Sequence, residues 1–214
     1  MNLKDLPYAL VPMQLSDVPT VYSIERRVFT TPWSMQAFRQ ELLFHDTAIY
    51  LVLRYLGGRD AKGRPLLKKP WGTRKDRNLL GYGGVWMVLD EAHISTLAVR
   101  PSWRGRGLGE LLFAALIEQA LAKDADKITL EVRVSNRLAQ ALYAKYGLER
   151  TGLRKRYYPD NQEDALIMSA ESIQSMTYRE RYQARVEALL QKLRLTEASN
   201  SPEMGQASGR IDSL

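Results

Sequence analysis

Hydrophobic and polar positions alternate between two periods along the chain. Tyr8 to Met13 reads as a short strand. Ser16 or Asp17 caps a helix that carries Val18, Val21, Ile24 and Val28 at helical spacing. Thr30-Thr31-Pro32-Trp33-Ser34 breaks it, and Ser34 caps a second helix with Phe38 and Leu42 on its apolar face. Ala48 to Tyr55 is rich in β-formers and predicts a strand. Leu79 to Leu89 and His93 to Val99 predict two more, joined by a tight turn at Asp90-Glu91. A helix follows with Leu108, Leu111, Leu112, Ala115 and Leu116 on one stripe. Lys127 to Val134 alternates, with Ile128, Leu130, Val132 and Val134 on one face and Thr129, Glu131 and Arg133 on the other. Asn136 to Tyr146 predicts a short helix ended by Gly147. Leu148 to Leu153 and Asp164 to Ser169 predict a last strand pair, connected through Tyr157-Tyr158-Pro159-Asp160. This order predicts a single α/β domain over residues 1–170, with a mixed, partly parallel sheet.

Two segments do not fit that core. Leu56 to Asn78 contains Gly57, Gly58, Gly63, Pro65, Pro70 and Gly72, and is too long for an ordinary connection. It reads as an insertion. After Glu171 the chain predicts one helix from Met176 to Leu195, with Ala184, Val186, Leu189, Leu190 and Leu193 as a weak stripe. The stretch from Asn200 to Leu214 has the composition of a disordered tail. Residues 171–214 therefore form an appendage to the domain.

Composition narrows the chemistry. The 214 residues include no cysteine, which excludes disulfides, thiolate metal sites and an enzyme-thiol intermediate. Two histidines, His45 and His93, are too few for a histidine-rich zinc site, and no metal is expected. No apolar run reaches the roughly 18 residues of a membrane span, and the start lacks a signal peptide's apolar stretch, so a cytoplasmic protein is expected. The net charge is +7, and the stretch from Arg54 to Asn78 carries all of it, with nine basic residues against two acids. The rest of the chain is balanced, so contact with an anionic surface is expected of this insertion alone.

The segment Leu97-Ala98-Val99-Arg100-Pro101-Ser102-Trp103-Arg104-Gly105-Arg106-Gly107-Leu108-Gly109 leads a strand through a glycine- and arginine-rich turn into a helix. Helix N-termini carry unpaired N–H groups and partial positive charge, which suits a phosphate. A Walker loop needs Gly-Lys-Ser/Thr here, and the Rossmann spacing is not met. A glycine turn with solvated arginines is the plainer alternative.

Arg104-x-x-Gly107-x-Gly109 after Leu97-Ala98-Val99 resembles the pyrophosphate loop of the GNAT superfamily of acetyl-CoA-dependent N-acetyltransferases. Thr129 to Asn136, Leu142-Tyr143, Tyr146-Gly147-Leu148, Pro32-Trp33-Ser34, Arg156-Tyr157-Tyr158-Pro159 and Glu163 to Met168 resemble its branch of bacterial ribosomal-protein-alanine N-acetyltransferases (RimI). The resemblance spans Tyr8 to Ala170. It implies a GNAT fold with a splayed strand pair, and acetyl transfer to the N-terminal α-amine of a small-subunit ribosomal protein by direct attack in a ternary complex. It implies that Leu97, Ala98, Val99, Arg104, Gly105, Arg106, Gly107, Leu108, Gly109 and Asn136 hold acetyl-CoA. It assigns Glu131 as general base and Tyr143 as general acid, and places Trp33, Tyr157 and Tyr158 around the peptide. Alternation alone reads Glu131 as a surface glutamate, and helical spacing alone reads Tyr143 as a core aromatic. His93 reads as structural. Glu163 and Asp164 read as a strand-start pair, with the substrate amine as a second use. With a ribosomal substrate implied, the basic insertion is expected to contact ribosomal RNA or an acidic assembly surface. The same core also admits a broader N-terminal or lysine acetyltransferase, or a ribosome- or RNA-binding module that uses the insertion and retains coenzyme A without catalysis.

Overall fold

The computed structural model describes residues 1–57 and 78–200. The bulk of the basic insertion and the tail after residue 200 lie outside the described residues. Among the described residues, seven strands form one sheet in the order β1 (Tyr8–Pro12), β2 (Ala48–Tyr55), β3 (Leu79–Val88), β4 (Glu91–Val99), β5 (Lys127–Arg133), β7 (Glu163–Ala170), β6 (Glu149–Tyr158). All pairings are antiparallel except β4 with β5. That single parallel pair needs a crossover, which α3 (Leu108–Ala122) supplies. Helices α1 (Val18–Val28) and α2 (Met35–Phe44) cover one face of the sheet. α3 and α4 (Arg137–Lys145) cover the other.

Strand chemistry explains how closely α3 approaches. A Cβ on Gly81 would lie 2.9 Å from Leu112 Cδ1, and one on Gly83 would lie 2.8 Å from Leu116 Cδ1. Both distances are too short for real contacts, so the leucines of α3 rest directly on a glycine-lined strand.

α3 departs from the amphipathic expectation. Phe113, Ala114, Ile117 and Ala120 are buried as well as the expected stripe. The cause is α5 (Met176–Asn200), which runs back along the outer face of α3. Gln174 donates to the carbonyls of Leu121 and Ala125 at the far end of α3, and Tyr182 Oη donates to Ala114 O at 2.9 Å. The α5 stripe is Tyr182, Val186, Leu189, Leu190 and Leu193. Ala184 is exposed, so the expected stripe is corrected by one residue. Burying each of its four aliphatic side chains contributes about 1.5–3 kcal/mol, ample to keep α5 docked.

Three further boundaries differ from the sequence pattern. The β3–β4 turn is Leu89-Asp90, with Leu89 in the left-handed region. Arg54 belongs to β2 and its guanidinium pairs with the buried Asp17, so it is part of the fold and not of the insertion. β6 runs through Tyr157 and Tyr158, which the sequence placed in the connection. Three residues, Lys155 to Tyr157, stand opposite Asp164 alone, and Arg156 has φ 50°. Such a bulge bends a strand without ending it. The Asp164 carboxylate steadies it by accepting from Arg156 N at 2.7 Å.

Candidate active site

β4 and β5 pair at only three positions, Glu91 with Lys127, Ala92 with Ile128 and His93 with Thr129. Beyond them β4 stays on β3 and β5 stays on β7, so the two strands part. The register break at Gly84/Val85 leaves Ser95 as an extra residue in β4, and this bulge turns the strand away. Arg100 N donates to Leu80 O at 2.8 Å. By the two-residue alternation of an antiparallel ladder, Ala98 also faces β3, whereas Leu97 and Val99 turn their N–H and C=O groups into the opening. Arg104 Nε approaches Val99 O at 3.4 Å from that side. Ala98 presents no polar group to the opening, and its methyl is buried in the α1/α2 layer.

The turn that follows ends at Gly107, the N-cap of α3, with φ 81° and no side-chain cap. Gly105 is also left-handed at φ 77°, with open space where a Cβ would be. Both conformations favour glycine. Arg104, Gly105 and Arg106 are exposed, whereas the Leu108 side chain is in the core. Leu108 and Gly109 therefore offer only backbone N–H groups of the first helical turn, beside two arginines. That donor set fits an anion. Asn136 caps α4, its Oδ1 accepting from Ala139 N at 3.2 Å, which leaves its amide group as a donor.

Glu131 stands beside the parting strands on the α1/α2 face. It is not a solvated surface glutamate, since its side chain is 9% exposed. His93 Nε2 lies 2.7 Å from Oε2, and the Arg154 guanidinium lies 3.0 Å from Oε1. The His93 hydrogen bond, with Arg154 adding to it, holds the carboxyl below its usual range against the effect of burial. Glu131 is therefore ionised and His93 donates. His93 in turn packs edge-on against Trp86, whose Nε1 donates to Glu41 Oε2 at 2.7 Å. Tyr50 Oη donates to the same oxygen at 3.0 Å.

Tyr143 lies on the opposite face, its ring centred 4.8 Å from that of Phe113. Burial first, and the neighbouring Tyr158 second, push its phenol up, so it stays protonated at any physiological pH. Packing and hydrogen donation are compatible here, because the ring packs and the hydroxyl remains neutral.

Two loops border this centre. Trp33 stacks on Trp86 at 6.0 Å between centroids and also contacts Phe38. Tyr157 and Tyr158 meet at 5.2 Å, and both are pushed up by burial, Tyr158 to about 12. Arg133 joins the loops. Its guanidinium donates to Asp160 at 2.8 and 2.9 Å and to Glu163 at 3.0 Å, and lies 3.8 Å over the Tyr158 ring. Thr30 of the α1–α2 loop donates to the same Asp160. Glu163 also accepts from Ser135 N at 2.8 Å. Glu163 and Asp164 are thus both engaged in holding β5, β6 and β7 together.

Glu25 on α1 holds the other loop. It is 3% exposed, and its Oε1 accepts from Trp33 N at 3.0 Å. Burial pushes the carboxyl up to about 7, with the Trp33 bond opposing. The folded state therefore binds a proton that the unfolded state releases near pH 4.5. This group's stabilisation is complete below that pH and is lost as pH rises through about 7. Glu25→Gln keeps the acceptor and removes the charge. In urea unfolding at pH 5 and 7.5, the variant should gain on the parent chain at the higher pH. Parallel shifts at both pH values would show that Glu25 does not titrate in this range.

Sequence reasoning had set His93 aside and did not single out Arg154, Glu25 or Glu41. Only the strand register brings His93 beside Glu131, since they are 38 residues apart. Strand alternation gives the face of Glu131 but reads it as solvated, because it cannot show the partners that bury it.

Comparison with known proteins agrees with this geometry. Residues 18–148 match the Acetyltransferase (GNAT) family. A protein of Bacillus subtilis (strain 168), carried under the provisional name ribosomal protein bS18-alanine N-acetyltransferase, is 44% identical over 156 residues, covering 73% of this chain and 90% of that protein. The ribosomal protein bS18-alanine N-acetyltransferase of Escherichia coli (strain K12) is 31% identical over 159 residues, covering 73% and 93%. The crystal structure of the Escherichia coli ribosomal-protein-S18-alanine N-acetyltransferase superposes with a TM-score of 0.61 at 27% identity, covering 77% of this chain and 94% of that one. On the parted strands, the glycine turn before α3 and these matches, the chain belongs to the GNAT family of acetyltransferases and resembles its RimI branch.

Proposed function

We propose that this chain transfers the acetyl group of acetyl-CoA to the α-amino group of an N-terminal alanine on a small-subunit ribosomal protein, by direct attack in a ternary complex. The observation that carries the proposal is the parting of β4 and β5 with an ionised, two-partner Glu131 at its edge. The relatives' names supply the substrate class.

Acetyl-CoA supplies an activated acyl group, and the reaction exchanges its C–S bond for the C–N bond of an amide. The N–H groups of Leu97 and Val99 bind the arm and the acyl oxygen, where negative charge develops. Arg104, Arg106 and the backbone from Gly105 to Gly109 take the phosphates, and Asn136 donates to the arm. Trp33, Tyr157 and Tyr158 border an extended N-terminus. An α-amine has a pKa of about 8, so at neutral pH it must lose a proton before it attacks. Glu131 draws that proton off through a water, using the lone pairs that His93 and Arg154 leave free. Tyr143 donates its hydroxyl hydrogen to the departing sulfur.

The test is mass spectrometry after incubation with acetyl-CoA and two peptides. One is the N-terminal peptide of protein bS18 with its alanine free, and the other is the same peptide with that amine blocked and its lysines free. Acetylation of the first alone supports the proposal. Acetylation of the blocked peptide would replace the α-amine by lysine. Coenzyme binding with no transfer to either would make the chain a binding module.

A further inference from the structure

We infer that α5 is a positioning element for the turn Trp103–Gly109, holding it in the shape that receives the phosphates of acetyl-CoA. The inference rests on the reading of that turn given above. α5 lies outside the residues that match the family, so the family core does not account for it.

The two glycines of the turn have few contacts of their own. Gly107 caps α3 with no side-chain bond, a Cβ on Gly105 would meet nothing within 4 Å, and the flanking Arg104 and Arg106 are exposed, one reaching Val99 O and the other lying over Trp103. Two left-handed glycines make such a turn flexible in isolation. α5 reaches it by two routes. Leu193 Cδ2 and Leu189 Cδ1 lie 3.3 and 3.5 Å from where a Gly107 Cβ would be. The half-buried Gly107 thus packs against α5. One turn further along α5, Glu197 accepts from Tyr8 Oη at 2.6 Å. The Tyr8 ring contacts Tyr55, Tyr55 lies 5.2 Å from Trp103, and the Arg106 guanidinium sits 4.6 Å over Trp103. One helix end therefore touches the pivot of the turn and, through a row of rings, the arginine that supplies its charge. Holding a flexible loop in its bound shape lowers the entropy lost on binding and so raises affinity.

The role predicts a loss confined to the phosphate-bearing end of the donor. S-acetylpantetheine carries the same thioester and arm but no phosphates, so it reports on the rest of the site. Two variants of the full chain are informative. Leu193→Ala removes the contact with Gly107. A chain ending at Gln191 removes Leu193 and Glu197 but keeps Tyr182, Val186, Leu189 and Leu190, which anchor the remainder of α5. Both should raise KM for acetyl-CoA and Kd for coenzyme A by about ten-fold, of the order expected for lost pre-organisation. Their kcat/KM with S-acetylpantetheine should stay within about two-fold of the parent chain. Equal losses with both donors would make α5 a general part of the core and overturn the inference. So would unchanged coenzyme A binding in both variants. If the parent chain itself shows no preference for acetyl-CoA over S-acetylpantetheine, the assignment of the turn to phosphate fails instead.

Discussion

Glu131→Gln should lower turnover at neutral pH by about 10²-fold or more, the usual range for a lost general base. Acetyl-CoA affinity should stay within a few-fold, because the carboxylate is on the α1/α2 face and not on the turn that precedes α3. The variant keeps an acceptor for His93 Nε2, so His93 and Trp86 should hold their places. It loses the charge that faces Arg154. The pH dependence separates the two roles of this residue. Glu131 is held below its ordinary range by His93 and Arg154, so it is ionised throughout the range where the α-amine titrates. The acid limb of kcat/KM in the parent chain should then follow the amine, with a pKa of about 8. In the variant the deficit should shrink as pH rises, because neutral amine becomes abundant without help. A deficit that stays constant from pH 6.5 to 9.5 would make Glu131 an electrostatic or structural residue. Near-normal turnover at pH 7 would remove it from the reaction.

The second large effect is expected for Tyr143→Phe. A phenylalanine keeps the contact with Phe113 and removes only the hydroxyl, so the fold should be retained. The chemical step should slow by about 10- to 10²-fold while both substrates still bind, since a proton donor acts on the transition state and not on binding. Burial keeps this phenol protonated, so loss of a titrating Tyr143 should not shape the basic limb of the rate in the parent chain. Single-turnover measurements with acetyl-CoA and peptide saturating would isolate the step. If the Michaelis constants move and the single-turnover rate does not, the residue only packs α4 on α3.

The two residues differ in what the sequence says of them. Strict alternation gives the face of Glu131, because a two-residue period assigns a face without reference to any other segment, but by itself it reads the residue as solvated. Helical spacing reads Tyr143 as a core aromatic, and its ring does pack in the core, so its use as an acid is implied by the family resemblance alone. The partner of His93 was hidden for another reason. Its meaning depends on a parallel pairing between strands that are distant in sequence, and a parallel register leaves no local mark. Arg154 was missed because a run of basic residues on an edge strand looks solvated, and only the β6–β7 pairing aims one of them at Glu131.

The strands, the caps at Ser34 and Asn136, the glycine turn and the mixed α/β class were legible because each follows from local rules. These are the two-residue and 3.6-residue periods, the cap at Ser34 and the stop at Gly147, where φ is 85°. Neither Ser16 nor Asp17 caps α1 through its side chain, the Asp17 carboxylate being taken by Gln14 N and Arg54. What tertiary structure alone decided was where faces meet. α3 reads as amphipathic but is enclosed on both sides, because a helix from beyond the family core supplies its second apolar layer. The Tyr157-Tyr158 pair reads as a turn but stays in β6, because a bulge opposite Asp164 absorbs the bend. A sequence states which positions seek burial and which backbone shapes are accessible. It does not state which distant surface will satisfy them, since that is settled by contacts among all the elements at once.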